Sequence, residues 1–183
     1  MHRVVVTGIG AVSPIGNSFP DSWNAAKSGI CGIAQITRVE ASALPWRVAG
    51  ELKRFDAEQY LSRKEIRRLD PFVHYAVAAA VMAAKDAGLM GQGTGLMVQH
   101  SEKHLYQGLL TSAGVIIGSS RGGISTLETV FSAHHKVSNV TRHVSPYLMP
   151  ATTISMASSY VGQTLGIKGY CLGISSACAS GTS

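Results

Sequence analysis

The residues best suited to chemistry lie at the end of the chain, in Gly173-Ile174-Ser175-Ser176-Ala177-Cys178-Ala179-Ser180-Gly181-Thr182-Ser183. An extended run, Tyr170 to Ser175, leads into very small side chains with Cys178 in their midst. Small neighbours let backbone or substrate come close to the sulfur. Gly181 and the flanking serines suit a sharp strand-to-helix turn, which predicts Cys178 at or just before a helix N-terminus. Unpaired N–H groups and the helix dipole favour a thiolate there, and such a thiolate is a ready nucleophile. It should then be alkylated faster than Cys31 or Cys171. The same local pattern also fits a buried structural cysteine, and by itself it leaves both readings open.

A second group is cationic. Arg63, Lys64, Arg67 and Arg68 fall at helical spacing on one arc, while Ile66 and Leu69 point the other way. Such an arc is either a solvated face or a binding patch. The histidines suggest less. His74 sits in an apolar helix and reads as a packed core residue. His100 and His104 lie in a peripheral stretch, Leu89 to Thr111, with no further ligand close by, so no metal site is expected. His134, His135 and His143 read as solvent-facing. Gly8-Ile9-Gly10 follows a β-branched run, but Ser13 stands at the third glycine position of a dinucleotide fingerprint and Pro14 follows at once. Those glycines are better suited to a turn where backbone packs closely.

These groups need elements to hold them. The chain has 183 residues, enough for one sizeable core, with 45% hydrophobic and 14% charged residues, a globular balance. The low charge hints at a surface that meets another chain or domain. A net charge of +6 favours acidic partners. Nucleic acid is not indicated, because basic residues are scattered outside 63–68 and no aromatics interleave them. Three cysteines without framework spacing point to a reducing compartment, hence a cytoplasmic protein. Met1-His2-Arg3 begins a poor signal peptide, and no apolar run is long enough to span a membrane.

In order, Arg3–Thr7 reads as a buried strand. Ser18 to Ser28 reads as a helix, capped by Ser18, with Pro20 in its first turn, Gly29 as its stop and Trp23 anchoring it in the core. Residues 30–57 look irregular, with a strand near Arg47–Gly50, and a helical turn follows at Asp56–Tyr60. Asp70-Pro71 opens a helix to Ala87, stopped by Gly88 and buried on most sides. Val115–Ile117 is a short strand with a glycine turn to Gly123, and Ile124–Ala133 is a helix. One helix runs from Pro150 to Leu165, ended by Gly166, and Tyr170–Ser175 is the last strand. The pattern is α/β with buried helices.

Five stretches together resemble the β-ketoacyl-acyl carrier protein synthases, in that family's order. They are Val6-Thr7-Gly8-Ile9-Gly10-Ala11-Val12-Ser13-Pro14-Ile15-Gly16, Arg63-Lys64-Glu65-Ile66-Arg67-Arg68-Leu69-Asp70-Pro71-Phe72, Ile117-Gly118-Ser119-Ser120-Arg121-Gly122-Gly123, Ser145-Pro146-Tyr147-Leu148-Met149-Pro150 and Ala177-Cys178-Ala179-Ser180-Gly181. The resemblance covers nearly the whole chain but only the N-terminal half of such an enzyme. It implies the first half of a thiolase-like fold, a mixed sheet with buried helices. It implies that Cys178 accepts an acyl group as a thioester, and that a malonyl carrier then decarboxylates and attacks it. Lys64, Arg67 and Arg68 match positions used to dock an acidic acyl carrier protein. Arg121, Leu148, Thr153 and Ala177 fall at the acyl pocket. A homodimer or pairing with a C-terminal half is implied, and no metal or dissociable cofactor.

Three departures stand out. The histidine pair and later lysine of the family are absent, since all seven histidines precede Cys178 and none matches. The chain is therefore expected to be a fragment, half of a split enzyme or a degenerate relative. Arg121 stands where many members carry an apolar residue, which argues against a long saturated acyl substrate. Tyr170-Cys171 replaces a Pro-Ser pair before a strand that pairs subunits in the family; Cys171 is expected to be packed there. A non-catalytic partner subunit of the chain-length-factor type shares the fold but usually lacks the cysteine. A thiolase has a different cysteine motif.

Overall fold

The computed structural model describes residues 3–90, 107–135 and 145–182. His100, His104 and His143 lie outside them. The chain divides into two compact units, Met1–Asp56 with Ala78–Gly88, and Ala57–Val77 with Leu89–Ser183.

In the first unit, helix α1 (Phe19–Lys27) follows the expected signals. The Ser18 side chain accepts the Asp21 N–H, and Gly29 leaves the helix at φ +68°. Ala25, not Trp23, is its buried residue: Trp23 is 56% exposed, stacked on Phe19 and with the Lys27 ammonium 6.0 Å from its ring centre. These residues lie four apart along one helix face, so they cluster locally without a core. Strands β1 (Ile33–Gln35) and β2 (Val48–Gly50) pair antiparallel, Ile33 opposite Gly50. β2 matches the expected strand, whereas β1 lies in a stretch expected to be irregular.

The expected strand at Arg3–Thr7 is not formed. Val4, Val5 and Val6 are exposed, at 93%, 67% and 82%, and no ladder pairs them among the described residues. β-branched residues favour extended backbone, but a strand is stabilised only by a neighbour that takes its hydrogen bonds. Gly8 and Gly10 do lie where backbone packs closely. A Cβ on Gly8 would run into Ala83 and Ala87, and one on Gly10 into Ala79 and Ala83. All three belong to this unit, on or just past helix α3 (Pro71–Asp86), and the Asp86 carboxylate accepts the Ile9 N–H at 2.8 Å.

The second unit holds the start of α3, a 3-10 turn (Ala57–Gln59), and helices α2 (Arg63–Ile66), α4 (Gln107–Ser112), α5 (Ile124–His135), α6 (Leu148–Thr152) and α7 (Ser155–Leu165). α4 replaces part of the expected peripheral loop. His134 and His135 close α5. The single helix expected from Pro150 is two. Thr153 is extended at ψ 123°, and the Thr152 and Thr153 hydroxyls donate back to the Leu148 and Met149 carbonyls, offering the backbone an alternative to the ladder. Strands β3 (Val115–Gly118) and β4 (Cys171–Ile174) pair parallel, Val115 opposite Cys171 and Gly118 opposite Ile174. α7 covers one face of this pair. Its Gly162 admits the Cys171 sulfur, where a Cβ would sit 2.7 Å away, and Gly173 admits Ser155. Ile116 and Leu172, facing the other way, are 62% and 49% exposed. Among the described residues both antiparallel and parallel pairs are thus present, in two separate two-stranded sheets. Burial centres on helices, with Val73, Val77, Ala157 and Ser158 at 3% exposure or less.

His74 is buried, as expected, and its Nε2 has no partner among the described residues. Burial pushes its imidazole below the ordinary 6.5, against the opposing pull of Asp70 and of the Leu69 and Ile66 backbone.

Asp70 ties two helices together. Its buried carboxylate accepts the Phe72 N–H at 3.3 Å and, across the unit, the Thr126 N–H and hydroxyl, both at 2.8 Å. It therefore caps both α3 and α5 at their N-termini, where unpaired N–H groups favour a negative group. Asp70→Ala should lower unfolding stability by about 2–3 kcal/mol, and Thr126→Val by about 1 kcal/mol. Urea melts of both variants and of the double variant check this. The double variant should cost less than the sum, because each single change removes the same bond.

Candidate active site

Cys178 is carried on the chain leaving β4. Ala177 takes a left-handed φ of 49°, so the backbone reverses and sets Cys178 at the head of a 3-10 turn, Ala179–Gly181. The helix start expected here is this one turn among the described residues. A left-handed non-glycine residue costs roughly 1–2 kcal/mol, so neighbours must hold it. Ser180 does so. It is buried, its hydroxyl accepts the Ser176 N–H at 2.8 Å, and it donates to the Ala177 carbonyl at 2.8 Å. The Ala179 N–H closes the turn onto the Ser176 carbonyl at 3.0 Å.

A second loop braces this elbow. β3 and β4 run parallel, so the segments after them leave at the same end. The Ser119 N–H donates to the Ile174 carbonyl at 2.9 Å, and a Cβ on Gly118 would run into the Ser180 carbonyl. The glycine at 118 is required by that approach. Cys178 itself is exposed, and no hydrogen bond engages its N–H among the described residues. A nucleophile needs that access. An N–H in that position can donate to an oxyanion formed at a carbonyl under attack.

The other expected pocket residues lie on adjoining segments. Arg121 is exposed in the turn after β3, Leu148 is half-buried at the start of α6, Thr153 is exposed between α6 and α7, and Ala177 is exposed in the elbow. Gly122 and Gly123 lie against Thr152, which joins the Arg121 turn to the Thr153 link. Among the described residues no hydrogen bond joins the four side chains. Sequence reasoning missed Ser180 as the clamp of the elbow and Tyr147 as a partner for a cation. The recurrence of serine four residues apart, at 176 and 180, was the available signal for the first.

Arg63 and Lys64 lie on α2, whose Ser62–Glu65 capping box fixes its start, and Arg67 and Arg68 follow in the turn at its end. Lys64 and Arg67 are exposed. Arg63 pairs with Glu58 at 3.0 Å on the surface, a contact of little energetic weight. Arg68 is half-buried, its guanidinium 4.4 Å from the centre of the Tyr147 ring. Leu69 is buried on the other side, as the spacing predicts.

The described residues include no group of three or more His, Cys, Asp or Glu arranged to hold a metal, and no helix long and apolar enough to cross a membrane.

A cysteine presented on a strand-to-turn elbow beside a parallel strand pair is the geometry of the site, and comparison with known proteins gives its family. The N-terminal domain of the beta-ketoacyl synthases matches residues 1–183, and the chain belongs to that family. It is 36% identical over 180 residues to a 3-oxoacyl-[acyl-carrier-protein] synthase 2 of Vibrio cholerae, covering 98% of this chain and 40% of that protein. It is 39% identical over 181 residues to the one of Staphylococcus aureus strain COL, with the same coverage. The chain thus spans 40% of the length of these relatives. Among solved structures it resembles a beta-ketoacyl synthase from Burkholderia phymatum (TM-score 0.69, 25% identity, all of this chain and 41% of that one). It also resembles the ishigamide ketosynthase/chain length factor (TM-score 0.70, 20% identity, 93% and 39%). A third match is a type II PKS acyl-carrier protein in complex with its ketosynthase (TM-score 0.61, 22% identity, 88% and 39%). The fold is the N-terminal half of a thiolase-like fold.

Exposure separates Cys178 from Cys171, whose sulfur is packed on Gly162, but not from Cys31, which is also exposed. Brief iodoacetamide treatment and peptide mapping should therefore find Cys178 labelled at least tenfold faster than Cys171, on the order of the protection that packing gives a thiol. Faster labelling of Cys178 than of Cys31 would add a thiolate contribution to access. Equal labelling of Cys171 and Cys178 would contradict the packing described.

Proposed function

We propose that this chain is the nucleophile-bearing part of a 3-oxoacyl-[acyl carrier protein] synthase of fatty acid or polyketide-type synthesis. The observation that carries the reading is the exposed Cys178 on its clamped elbow, within Ala177-Cys178-Ala179-Ser180-Gly181. The Cys178 thiolate attacks the carbonyl carbon of an acyl-carrier thioester. The tetrahedral intermediate, its oxyanion held by N–H donors including that of Cys178, collapses and expels the carrier thiol. A malonyl carrier thioester then loses carbon dioxide. The resulting carbanion attacks the Cys178 thioester, a carbon–carbon bond forms, and the cysteine thiolate leaves. Sulfur suits both steps, as nucleophile and as leaving group.

Lys64, Arg67 and Arg68 supply a docking face for the acidic carrier, attracting it over distance. Arg121 places a charge beside the acyl group and favours a substrate other than a long saturated chain. The carbanion needs preorganised donors, and no histidine of this sequence matches those the family uses. They would come from the remainder of a longer enzyme. The exposed apolar runs Val4–Val6 and Ile116 with Leu172 are surfaces for that remainder or for a second copy. A non-catalytic partner subunit is disfavoured by the presence of Cys178.

The test is condensation. The purified chain, given malonyl and acyl carrier thioesters, should release no carbon dioxide and form no 3-oxoacyl product above background. Adding the C-terminal part of a related synthase should restore both. Condensation by the chain alone would show that the donor requirement is misassigned. Failure of every combination, with the mixed halves shown to associate, would favour the non-catalytic reading.

A further inference from the structure

The four cations of the 63–68 segment are held differently. Arg63 is paired with Glu58, and Lys64 and Arg67 stand in solvent. Arg68 rests on a ring, its guanidinium carbon 4.4 Å from the Tyr147 centre, and among the described residues no carboxylate pairs with it. A ring face attracts a guanidinium without neutralising it. The cation is therefore fixed in place with its charge intact, and its planar fork matches a carboxylate or phosphate. Tyr147 is itself 39% exposed and immediately precedes α6. The contact thus carries the cationic face from α2 to the short helix that holds Leu148 and leads to Thr153.

We propose that Tyr147 is a positioning residue of the docking surface for an acidic carrier protein. Its ring pre-orients Arg68, so that less side-chain freedom is lost when the partner binds. The surface accordingly spans Lys64, Arg67, Arg68 and Tyr147. This rests on reading Lys64, Arg67 and Arg68 as the docking face.

The experiment is binding of a purified acyl carrier protein to the chain at low salt, with far-UV melts confirming that each variant folds. Tyr147→Leu should weaken binding about three- to fivefold, the range of an exposed cation–π contact. Tyr147→Phe keeps the ring face and should bind like the parent. Arg68→Lys keeps the charge but loses the stacked plane and should weaken binding to a similar extent. In an Arg68→Gln background, Tyr147→Leu should have no further effect. The proposal is overturned if Tyr147→Leu is silent, or if its loss persists in full without Arg68, while Lys64→Glu and Arg67→Glu still weaken binding. If those two reversals also leave binding unchanged, the docking reading itself fails and the proposal fails with it.

Discussion

The close approach of Gly118 to the Ser180 carbonyl is the constraint on which the site depends. It exists because β3 and β4 are parallel neighbours ending in register, Gly118 opposite Ile174. Parallel strands deliver their following loops to the same edge, where α/β folds assemble ligand sites. Here one loop carries Arg121 and the other carries Cys178. The second is bent by the left-handed Ala177 and held by the Ser180 hydroxyl. A side chain at 118 would displace the Ser180 backbone and, through it, the turn that presents the sulfur. The small residues around Cys178 make that backbone approach possible as well as giving substrate access.

A second tie lies in the same unit. Asp70 joins the start of α3 to the start of α5, and α5 begins directly after the glycine turn that carries Arg121. Arg68, two residues before Asp70, reaches Tyr147 at the start of α6. The corner between α2 and α3 thus anchors the segments on which the proposed pocket residues stand. The residues proposed to receive a carrier and those proposed to line the pocket share supporting elements, so docking and acyl placement draw on the same packing.

Much of this was legible in the sequence where the signal is local. Ser18 and Gly29 bound α1, Pro71 and Gly88 bracket α3, and Gly166 ends α7 at φ +71°, because caps and stops act over a few residues. The cysteine elbow was legible for the same reason. What failed to read out was only in part non-local. Val4–Val6 has the composition of a buried strand, but composition does not supply a pairing partner. Trp23 was expected in the core because it is large, yet Phe19 and Lys27 on its own helix give it a surface cluster instead. β1, three residues long, is too short to show a period. The break at Thr153 comes from hydroxyls bonding back to carbonyls, a competition that propensity does not rank. Thr126 as the second partner of Asp70 lies far away in sequence, and no spacing rule reaches it.

The central claim is that Cys178 accepts an acyl group. Intact-mass spectrometry of the chain after incubation with a short acyl-carrier thioester tests it most directly. The account predicts an increment equal to one acyl group, mapped to the peptide holding Cys178, removed by hydroxylamine and absent in Cys178→Ala. Even slow acylation suffices. An increment that survives in Cys178→Ala, or one that maps to Cys31, would contradict it.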